Sequence, residues 1–385
     1  MSGSAPARVI RFFLCGDVMT GRGIDQILPH PCDSTLHEDY VHSARDYVEL
    51  AEQANGPIPR RAAPAYIWGV ALDELRRAQP DARIINLETS ITRSEDYADK
   101  GINYRMSPEN AETLTAAAID CCALANNHVL DWGTSGLLDT LATLQRLHIR
   151  TTGAGRTLAE AGAPAVLDIA SKGRALVYAF ASTTSGVDLD WAATAKCAGV
   201  NLLSDLSDAS VSAVCERIAR DRKPGDVVIV SIHWGSNWGY AVPNHQRHFA
   251  RRLIDDVGVS IVHGHSSHHA KGIEVYRDRL ILYGCGDFLN DYEGIQGYEE
   301  FRGDLVLMYL ADIEAGGGNL TALEMVPLRV KKFRLVRPSG ADVEFLRQMF
   351  ARESVGVTVT PTAGRLRASW QTERSRQHGQ SGRSR

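Results

Sequence analysis

The sequence predicts an α/β fold in which mixed β-sheets are covered by α-helices. The first observation is a series of short β-branched or apolar runs, which are typical of strands: 9–15, 83–87, 119–125, 175–181, 227–233, 259–263 and 280–283. The second is that amphipathic helical patterns lie between them, at 41–54, 108–117, 136–147, 208–219 and 244–257. Strands that alternate with helices indicate layered sheets with helices outside.

The later part of the chain adds an antiparallel component. The runs 305–310 and 321–327 flank the glycines at 316–318 and predict a hairpin. We expect one domain over residues 1–370. Its segment 28–64, rich in proline with scattered aromatic and acidic residues, is typical of a lid or a substrate-binding loop. Residues 371–385 are polar, rich in arginine and without periodicity, which predicts a disordered tail.

The composition narrows the class of protein. Of 385 residues, 44% are hydrophobic and 23% are charged, which suits a folded globular chain. A formal net charge of −4 gives no general attraction to nucleic acid or to an anionic membrane, so we expect neither as a partner. The sequence shows neither the run of roughly 18 apolar residues that a spanning helix needs nor the layout of a signal peptide. We therefore expect a cytoplasmic protein whose seven cysteines are reduced.

Polar side chains follow five of the predicted strands, at the point where each strand ends. The residues are Asp17, Glu88, Asn127, His128, His233, His265 and His268. Because the carboxyl ends of strands in an open α/β sheet line a common crevice, we expect these side chains to lie close together. Any one of them alone is more often a turn, cap or core residue. Together they offer the convergent oxygen and nitrogen donors of a divalent-metal centre.

Five blocks of the sequence occur in the order of a known family. They read GDVMTGR, NLETSIT, ALANNHVLDWG, SIHWGSNWGY and GHSSHH…IEVY…LILYGCGDFLND. They resemble the signature blocks of the CapA family, which is named for poly-γ-glutamate capsule synthesis and has a metallophosphatase-like fold. The resemblance spans residues 10–327 and implies a four-layer αββα sandwich with two packed mixed β-sheets.

The resemblance also implies roles for the residues at the strand ends. Asp17 stands at the place of the central metal ligand, and Glu88 or Asn86 stands in the second block. The implied metal ligands are Asp17, Glu88, Asn127, His233 and His265. Phosphoesterases of this fold carry a histidine where this chain has Met19, and a bridging aspartate where it has Asn-Leu-Glu. We therefore expect a poor phosphoesterase with one metal ion rather than two.

A cytoplasmic relative of capsule proteins needs an intracellular substrate, and we expect a peptide or a polyamide. The family includes cytosolic enzymes of lasso-peptide biosynthesis that epimerise the C-terminal residue of a ribosomally made precursor. The resemblance thus implies a metal-dependent isomerase that converts an L residue to D. The catalytic residues would be Asp17, His128, His233, His265, His268, Asp131 and Asp287. If histidines carry protons, the remaining oxygen ligands favour Ca²⁺ or Mn²⁺ over Zn²⁺.

Other functions stay open at this point, because a fold does not decide a reaction. They are capsule-type polyglutamate synthesis, hydrolysis of a γ-glutamyl-type amide, phosphoester hydrolysis, and a scaffold with a structural metal. For substrate binding, arginine side chains suit a carboxylate, and aromatic side chains after His233 suit a wall of a pocket. The substrate-binding residues that we expect are Arg22, Arg105, Trp234, Asn237, Trp238 and Tyr240.

Overall fold

Two large mixed sheets lie at the centre of this computed structural model, which describes residues 8–372. Most of the tail expected at 371–385 therefore lies outside the described residues. The strands, in chain order, are β1 Val9–Val18, β2 Ala82–Leu87, β3 Ser90–Ile91, β4 Arg105–Met106, β5 Cys121–Ala123, β6 Arg150–Thr152, β7 Ala154–Gly155, β8 Ala165–Ile169, β9 Gly173–Ser182, β10 Gly199–Val200, β11 Leu202–Leu203, β12 Val227–His233, β13 Ile261–His265, β14 Ile273–Tyr276, β15 Arg279–Leu282, β16 Asp287–Leu289, β17 Leu305–Glu314, β18 Leu320–Val330, β19 Leu335–Val336, β20 Thr358–Thr362 and β21 Arg365–Ser369.

Helices connect the strands and cover the sheets. They are α1 Gly23–Ile27, α2 Ala44–Asn55, α3 Ala71–Ala78, α4 Glu112–Ala116, α5 Gly133–Arg146, α6 Leu158–Ala161, α7 Asp208–Asp221, α8 Asn244–Val257 and α9 Gly340–Glu353. Single 3₁₀ turns span Pro108–Ala111, Thr183–Ser185, Leu189–Trp191 and Glu299–Phe301. Within residues 8–372, no helix combines the length and the apolar character needed to cross a bilayer.

The first sheet has ten strands, and the second has seven. In the first, the order along the main path is β20-β21-β18-β17-β1-β2-β5-β6, and β16 also pairs with β1. Neighbours from β1 to β6 are parallel, while β17 and β18 form the expected antiparallel hairpin. In the second sheet, β9, β12, β13 and β15 are parallel neighbours. The sheets are therefore mixed, as the sequence predicts.

Alternating side chains of β1 show how the layers stack. Phe12 points into an apolar core that it shares with Ile229 and Ile261 of the second sheet. Phe13 points the other way, into a core with Leu75 of α3 and Leu137 of α5. A third core joins the outer face of the second sheet to α7 and α8. The order is helix, sheet, sheet, helix, which confirms the four-layer sandwich.

The ends of some elements differ from the prediction. The run 119–125 is observed as a strand only over Cys121–Ala123, and Ala118 before the run adopts a positive φ of 51°. The helical pattern at 108–117 is divided into the 3₁₀ turn Pro108–Ala111 and the short helix α4. Since β13 continues to His265, this histidine lies at the end of a strand rather than in a loop.

Candidate metal centre

The carboxyl ends of strands from both sheets meet at one place. Asp17 lies near the end of β1, and Glu88 follows β2 directly. His233 and His265 are the last residues of β12 and β13, which are hydrogen-bonded neighbours in the second sheet. The backbone N–H of Ser266 donates to Asp17 Oδ2 at 3.1 Å, which joins the two sheets at this point. All five residues are buried.

Three of these side chains form a compact group of donors. The ligand atoms of Asp17, His233 and His265 all lie within 4.8 Å of one another. His265 Nδ1 is 3.8 Å from Asp17 Oδ1 and 2.7 Å from His233 Nδ1. Glu88 lies next to the group, with its Oε2 at 3.7 Å from His233 Nδ1. One carboxylate and two imidazoles from rigid strands form a donor set that suits a divalent metal.

The hydrogen bonds of His233 fix where its proton lies. Its Nε2 is 2.9 Å from Oδ1 of Asn127, an amide oxygen that only accepts. Nε2 therefore carries the hydrogen and Nδ1 carries a lone pair. Asn127 was expected to be a metal ligand. In the structure its Oδ1 accepts from His233 and so orients that histidine, while its expected role as a metal ligand stays a prediction.

A chain of hydrogen bonds fixes His265 in the same way. His263 Nε2 donates to the carbonyl oxygen of Cys15 at 2.7 Å, so His263 Nδ1 accepts from the Ser231 hydroxyl at 3.2 Å. Ser231 Oγ then accepts from His265 Nε2 at 2.8 Å. His265 Nδ1 is left with a lone pair. Neither Ser231 nor His263 was predicted as part of the centre, although they lie on the same two strands, two residues before His233 and His265.

The lone pairs of His233 and His265 thus point towards each other across 2.7 Å. Burial lowers the pKa of both imidazoles well below the usual value, so both are neutral. Two neutral lone pairs at this distance repel each other unless a positive charge lies beside them. A metal ion held by His233, His265 and Asp17 fits this arrangement, because second-shell acceptors hold each ring with its free nitrogen inward.

The buried carboxyl groups of Asp17 and Glu88 also favour the binding of a cation at this place. Burial raises the pKa of Asp17 to about 7, and the nearby charge of Asp287 adds to the increase. Burial and the charge of Asp17 raise the pKa of Glu88 well above its usual range. Asn86 donates to Asp17 at 2.8 Å and to Glu88 at 2.9 Å, so it links the two side chains. A divalent ion would balance the charge of these groups.

Two further histidines are each held by a buried aspartate. His128 Nδ1 is 2.7 Å from Asp131, which also binds Lys100 at 2.7 Å. His268 Nδ1 is 2.9 Å from Asp287. Burial lowers the pKa of His128 to about 4 despite Asp131. Burial also opposes the charged form of His268, but the charge and hydrogen bond of Asp287 outweigh it and raise the pKa of His268.

The strand order places these two pairs on opposite sides of Asp17. Asp287 begins β16 and is the register partner of Asp17 across the parallel pair β16–β1. On the other side of β1 come β2 and then β5, after which His128 follows. One histidine is neutral and the other has a raised pKa. The pair is therefore suited to act as base and acid on either side of the metal centre.

Three of the expected substrate-binding residues are engaged within the protein instead. The Arg22 guanidinium is buried and donates to Asp291 and Glu38, at 2.6 Å and 2.9 Å for the shortest contacts. Arg105 is buried too, where it donates to the carbonyl of Ser94 at 2.7 Å. Trp234 donates its indole N–H to a backbone carbonyl at 2.9 Å and belongs to the third apolar core. These polar groups are bonded within the protein, and a role of the three residues in substrate binding stays a prediction.

The other three expected residues lie at the edge of the centre. Trp238 is half-buried, with its ring centroid 5.4 Å from His268 and stacked at 4.1 Å on Tyr298. Tyr240 is half-buried and packs against His269, while the exposed Asn237 accepts the backbone N–H of His268 at 2.9 Å. Of these, Trp238 places its side chain against the ring of His268, while Asn237 contacts His268 through the backbone.

Comparisons with known proteins show the family of this chain. Residues 11–292 match the family model described as bacterial capsule synthesis protein PGA_cap. A probable polyglutamine synthesis accessory protein of Mycobacterium tuberculosis is 47% identical over 348 residues, which cover 90% of this chain and 91% of that protein. The PGA biosynthesis protein CapA of Bacillus subtilis is 28% identical over 253 residues, which cover 64% of this chain and 63% of that protein.

Among solved structures, a phosphatase of Mycoplasma pneumoniae is 9% identical, with a TM-score of 0.46, and the match covers 88% of this chain and 97% of that one. The family model spans most of the described residues and includes every side chain of the three-donor group. The chain therefore belongs to the bacterial capsule synthesis family, the CapA family that the sequence blocks resemble.

Proposed function

We propose that this protein is a metal-dependent acid/base enzyme that acts on a peptide-like polyamide. The observation that carries the proposal is the pair of inward lone pairs on His233 and His265 beside Asp17, flanked by His128 and His268. The names of the relatives, which refer to polyglutamine and PGA synthesis, support a polyamide as the substrate.

The metal ion would be held by Asp17, His233 and His265, with Glu88 close by. We expected oxygen ligands and a preference for Ca²⁺ or Mn²⁺. Because two of the three donors are imidazole nitrogens, the group favours Mn²⁺ or Zn²⁺ over Ca²⁺. When bound, the ion would polarise a carbonyl or carboxylate oxygen of the substrate.

We propose epimerisation of one residue, from L to D, as the reaction. His128 is neutral and can take the proton from the α-carbon on one face. The electron pair of that C–H bond passes into the adjacent carbonyl group. His268, with its raised pKa, can return a proton to the opposite face and form the new C–H bond. Asp131 and Asp287 orient the two imidazoles, and the atoms of the substrate are unchanged in number.

Capsule-type polyamide synthesis or amide hydrolysis is the second candidate, which the names of the relatives favour. In the hydrolytic form, His128 would activate water and His268 would protonate the leaving amine. Phosphoester hydrolysis is less well supported, because Met19 offers no imidazole. Its sulfur instead lies 3.7 Å from the hydroxyl of Tyr292, which donates to it.

An isotope experiment separates these reactions. The full-length chain, loaded with Mn²⁺ or Zn²⁺, is incubated in D₂O with a lasso-type precursor peptide and with oligomers of glutamine or γ-glutamate. Epimerisation gives a peptide with one added deuterium, a D residue and no new termini. Cleavage or chain growth without deuterium at the α-carbon contradicts epimerisation and supports the second candidate.

Matched variants test the two histidines. His128→Gln and His268→Gln should each stop proton exchange, while metal content stays at the wild-type level because neither residue belongs to the three-donor group. If both variants exchange protons at the wild-type rate, these histidines are not the base and the acid.

A further inference from the structure

Ring contacts and an ion pair connect five segments of the chain to the residues of the metal centre. We call five segments the mouth loops: 33–40, 93–100, 183–198, 235–243 and 291–303. Ring contacts join them to one another and to the centre. Tyr97 stacks on His37 with centroids 3.6 Å apart, and Lys100 lies 5.0 Å from the ring of Trp191. Trp238 connects this surface to the centre through His268.

The exposed charges of the mouth loops are mostly negative. Eight exposed carboxylates have no ion-pair partner within residues 8–372: Asp33, Asp39, Asp96, Asp99, Asp188, Asp190, Glu299 and Glu300. Two exposed basic residues lie on the same loops, and one of them, Arg93, is paired with Glu109 at 2.9 Å. This leaves Lys196. The chain as a whole has a net charge of only −4, so negative charge is concentrated around the metal centre.

The same loops expose large apolar side chains. Within the described residues, eight large hydrophobic side chains are exposed, and five of them lie on the mouth loops: Tyr40, Tyr97, Leu189, Ile295 and Tyr298. Leu189 is 70% exposed and lies between Asp188 and Asp190. Apolar side chains that cluster around a site are typical of a surface that binds a partner molecule. The mouth therefore offers contact area and negative charge together.

We infer that the substrate segment entering this mouth is a peptide with neutral or positively charged side chains, such as amides or amines, and not a free polyglutamate. This inference rests on the proposed function, since it concerns the substrate of the same site. A cleft with charges of one sign repels a chain of that sign and draws in the opposite one. A polyglutamate carries a carboxylate on each residue, so each residue meets like charge at the mouth. An amide or amine side chain does not.

Binding of three fluorescent probe peptides tests the inference. They have equal length and contain glutamine, lysine or glutamate at the variable positions. With the metal-loaded full-length chain, fluorescence anisotropy should give the tightest binding for the lysine peptide, then the glutamine peptide. The glutamate peptide should bind at least about tenfold more weakly than the glutamine peptide at about 50 mM NaCl, and the gap should narrow at about 300 mM. Equal or tighter binding of the glutamate peptide at the lower salt concentration overturns the inference.

A pair of double variants checks that the mouth causes the preference. Asp188→Asn with Asp190→Asn should reduce the discrimination between lysine and glutamate peptides severalfold. Asp168→Asn with Glu216→Gln removes the same charge from exposed positions outside the mouth and should leave the discrimination unchanged. Equal effects of the two double variants overturn the inference. If the binding order holds but no deuterium is exchanged, epimerisation fails while the inference stands.

Discussion

At the scale of single residues, the proton positions of two histidines define the centre. The carbonyl oxygen of Cys15 in β1 fixes the tautomer of His263. The imidazole of His263 then fixes the direction of the Ser231 hydroxyl, whose oxygen fixes the tautomer of His265. The side-chain oxygen of Asn127 fixes the tautomer of His233 by accepting a hydrogen bond from its Nε2. None of these orienting groups needs to contact a metal ion. They matter because each leaves a free nitrogen facing Asp17.

Removing the hydroxyl of Ser231 should therefore weaken metal binding without removing a ligand. We expect Ser231→Ala to raise the dissociation constant for Zn²⁺ or Mn²⁺ by about tenfold or more, since His265 loses the acceptor that holds its tautomer. Ser231→Thr keeps the hydroxyl and should restore most of the affinity. Isothermal titration of metal-stripped protein measures both values. Equal affinity in Ser231→Ala and wild type would show that the tautomer is held in another way.

The affinity for metal should also depend on pH through Asp17. Burial raises its pKa to about 7, so in the metal-free chain it is protonated below that pH. Metal binding needs the carboxylate and displaces this proton. Affinity should rise by roughly tenfold per pH unit up to about pH 7 and then level off, because His233 and His265 have lowered pKa values and release no proton there. A flat profile between about pH 5.5 and about pH 7 contradicts the assignment of Asp17.

The sequence predicted which strand ends carry the centre but not which atoms face it. Asp17, His233 and His265 come together because each lies at or next to the end of a parallel strand, and that follows from the pattern of apolar runs. Asn127 was placed among the ligands because the pair Asn127-His128 resembles the Asn-His block of the family. Its side chain turns to His233, and only the packing of both sheets decides that.

At the scale of secondary structure, close backbone contact sets the position of Asp17 and Asp287. A Cβ at Gly16 would lie 1.6 Å from the carbonyl oxygen of Gly286, just before β16 begins. Any side chain at Gly16 would push β1 and β16 apart. The register between Asp17 and Asp287 depends on this contact.

We expect Gly16→Ala to reduce the free energy of unfolding by more than about 2 kcal/mol and to weaken metal binding. Thermal unfolding and a metal titration measure the two effects. Gly340→Ala is the control, because no atom lies within 4 Å of a Cβ at that position. Similar unfolding temperatures for the two variants would show that the strands tolerate the added methyl group.

Strands that contain long apolar runs could be predicted from the sequence, and short strands with exposed polar residues could not. The sequence indicates β9 and β12 because both are rich in β-branched or apolar residues, as suits strands that are buried over most or all of their length. It gave no sign of β20 and β21, which form one edge of the first sheet. Their exposed faces carry threonine and arginine, and a run of five residues is too short for a clear period.

At the scale of the whole molecule, the centre lies where the two sheets meet. Asp17 comes from the first sheet, while His233 and His265 come from the second. Helices on both outer faces keep the strands in place, and the loops at the carboxyl ends form the acidic mouth. The resemblance between sequence blocks predicted this sandwich. The charge of the mouth could not be predicted, because its carboxylates come from segments that are far apart in the chain. The expected location in the cytoplasm stays a prediction.

A metal titration on the metal-stripped chain tests the centre most directly. Isothermal titration with Zn²⁺ or Mn²⁺, checked by the metal content of the dialysed protein, should give one ion per chain. Asp17→Asn and His265→Gln should each abolish this binding, while Glu216→Gln should bind like the wild type. Failure of the wild-type chain to bind either ion, or full binding by both Asp17→Asn and His265→Gln, contradicts a metal centre built on Asp17, His233 and His265.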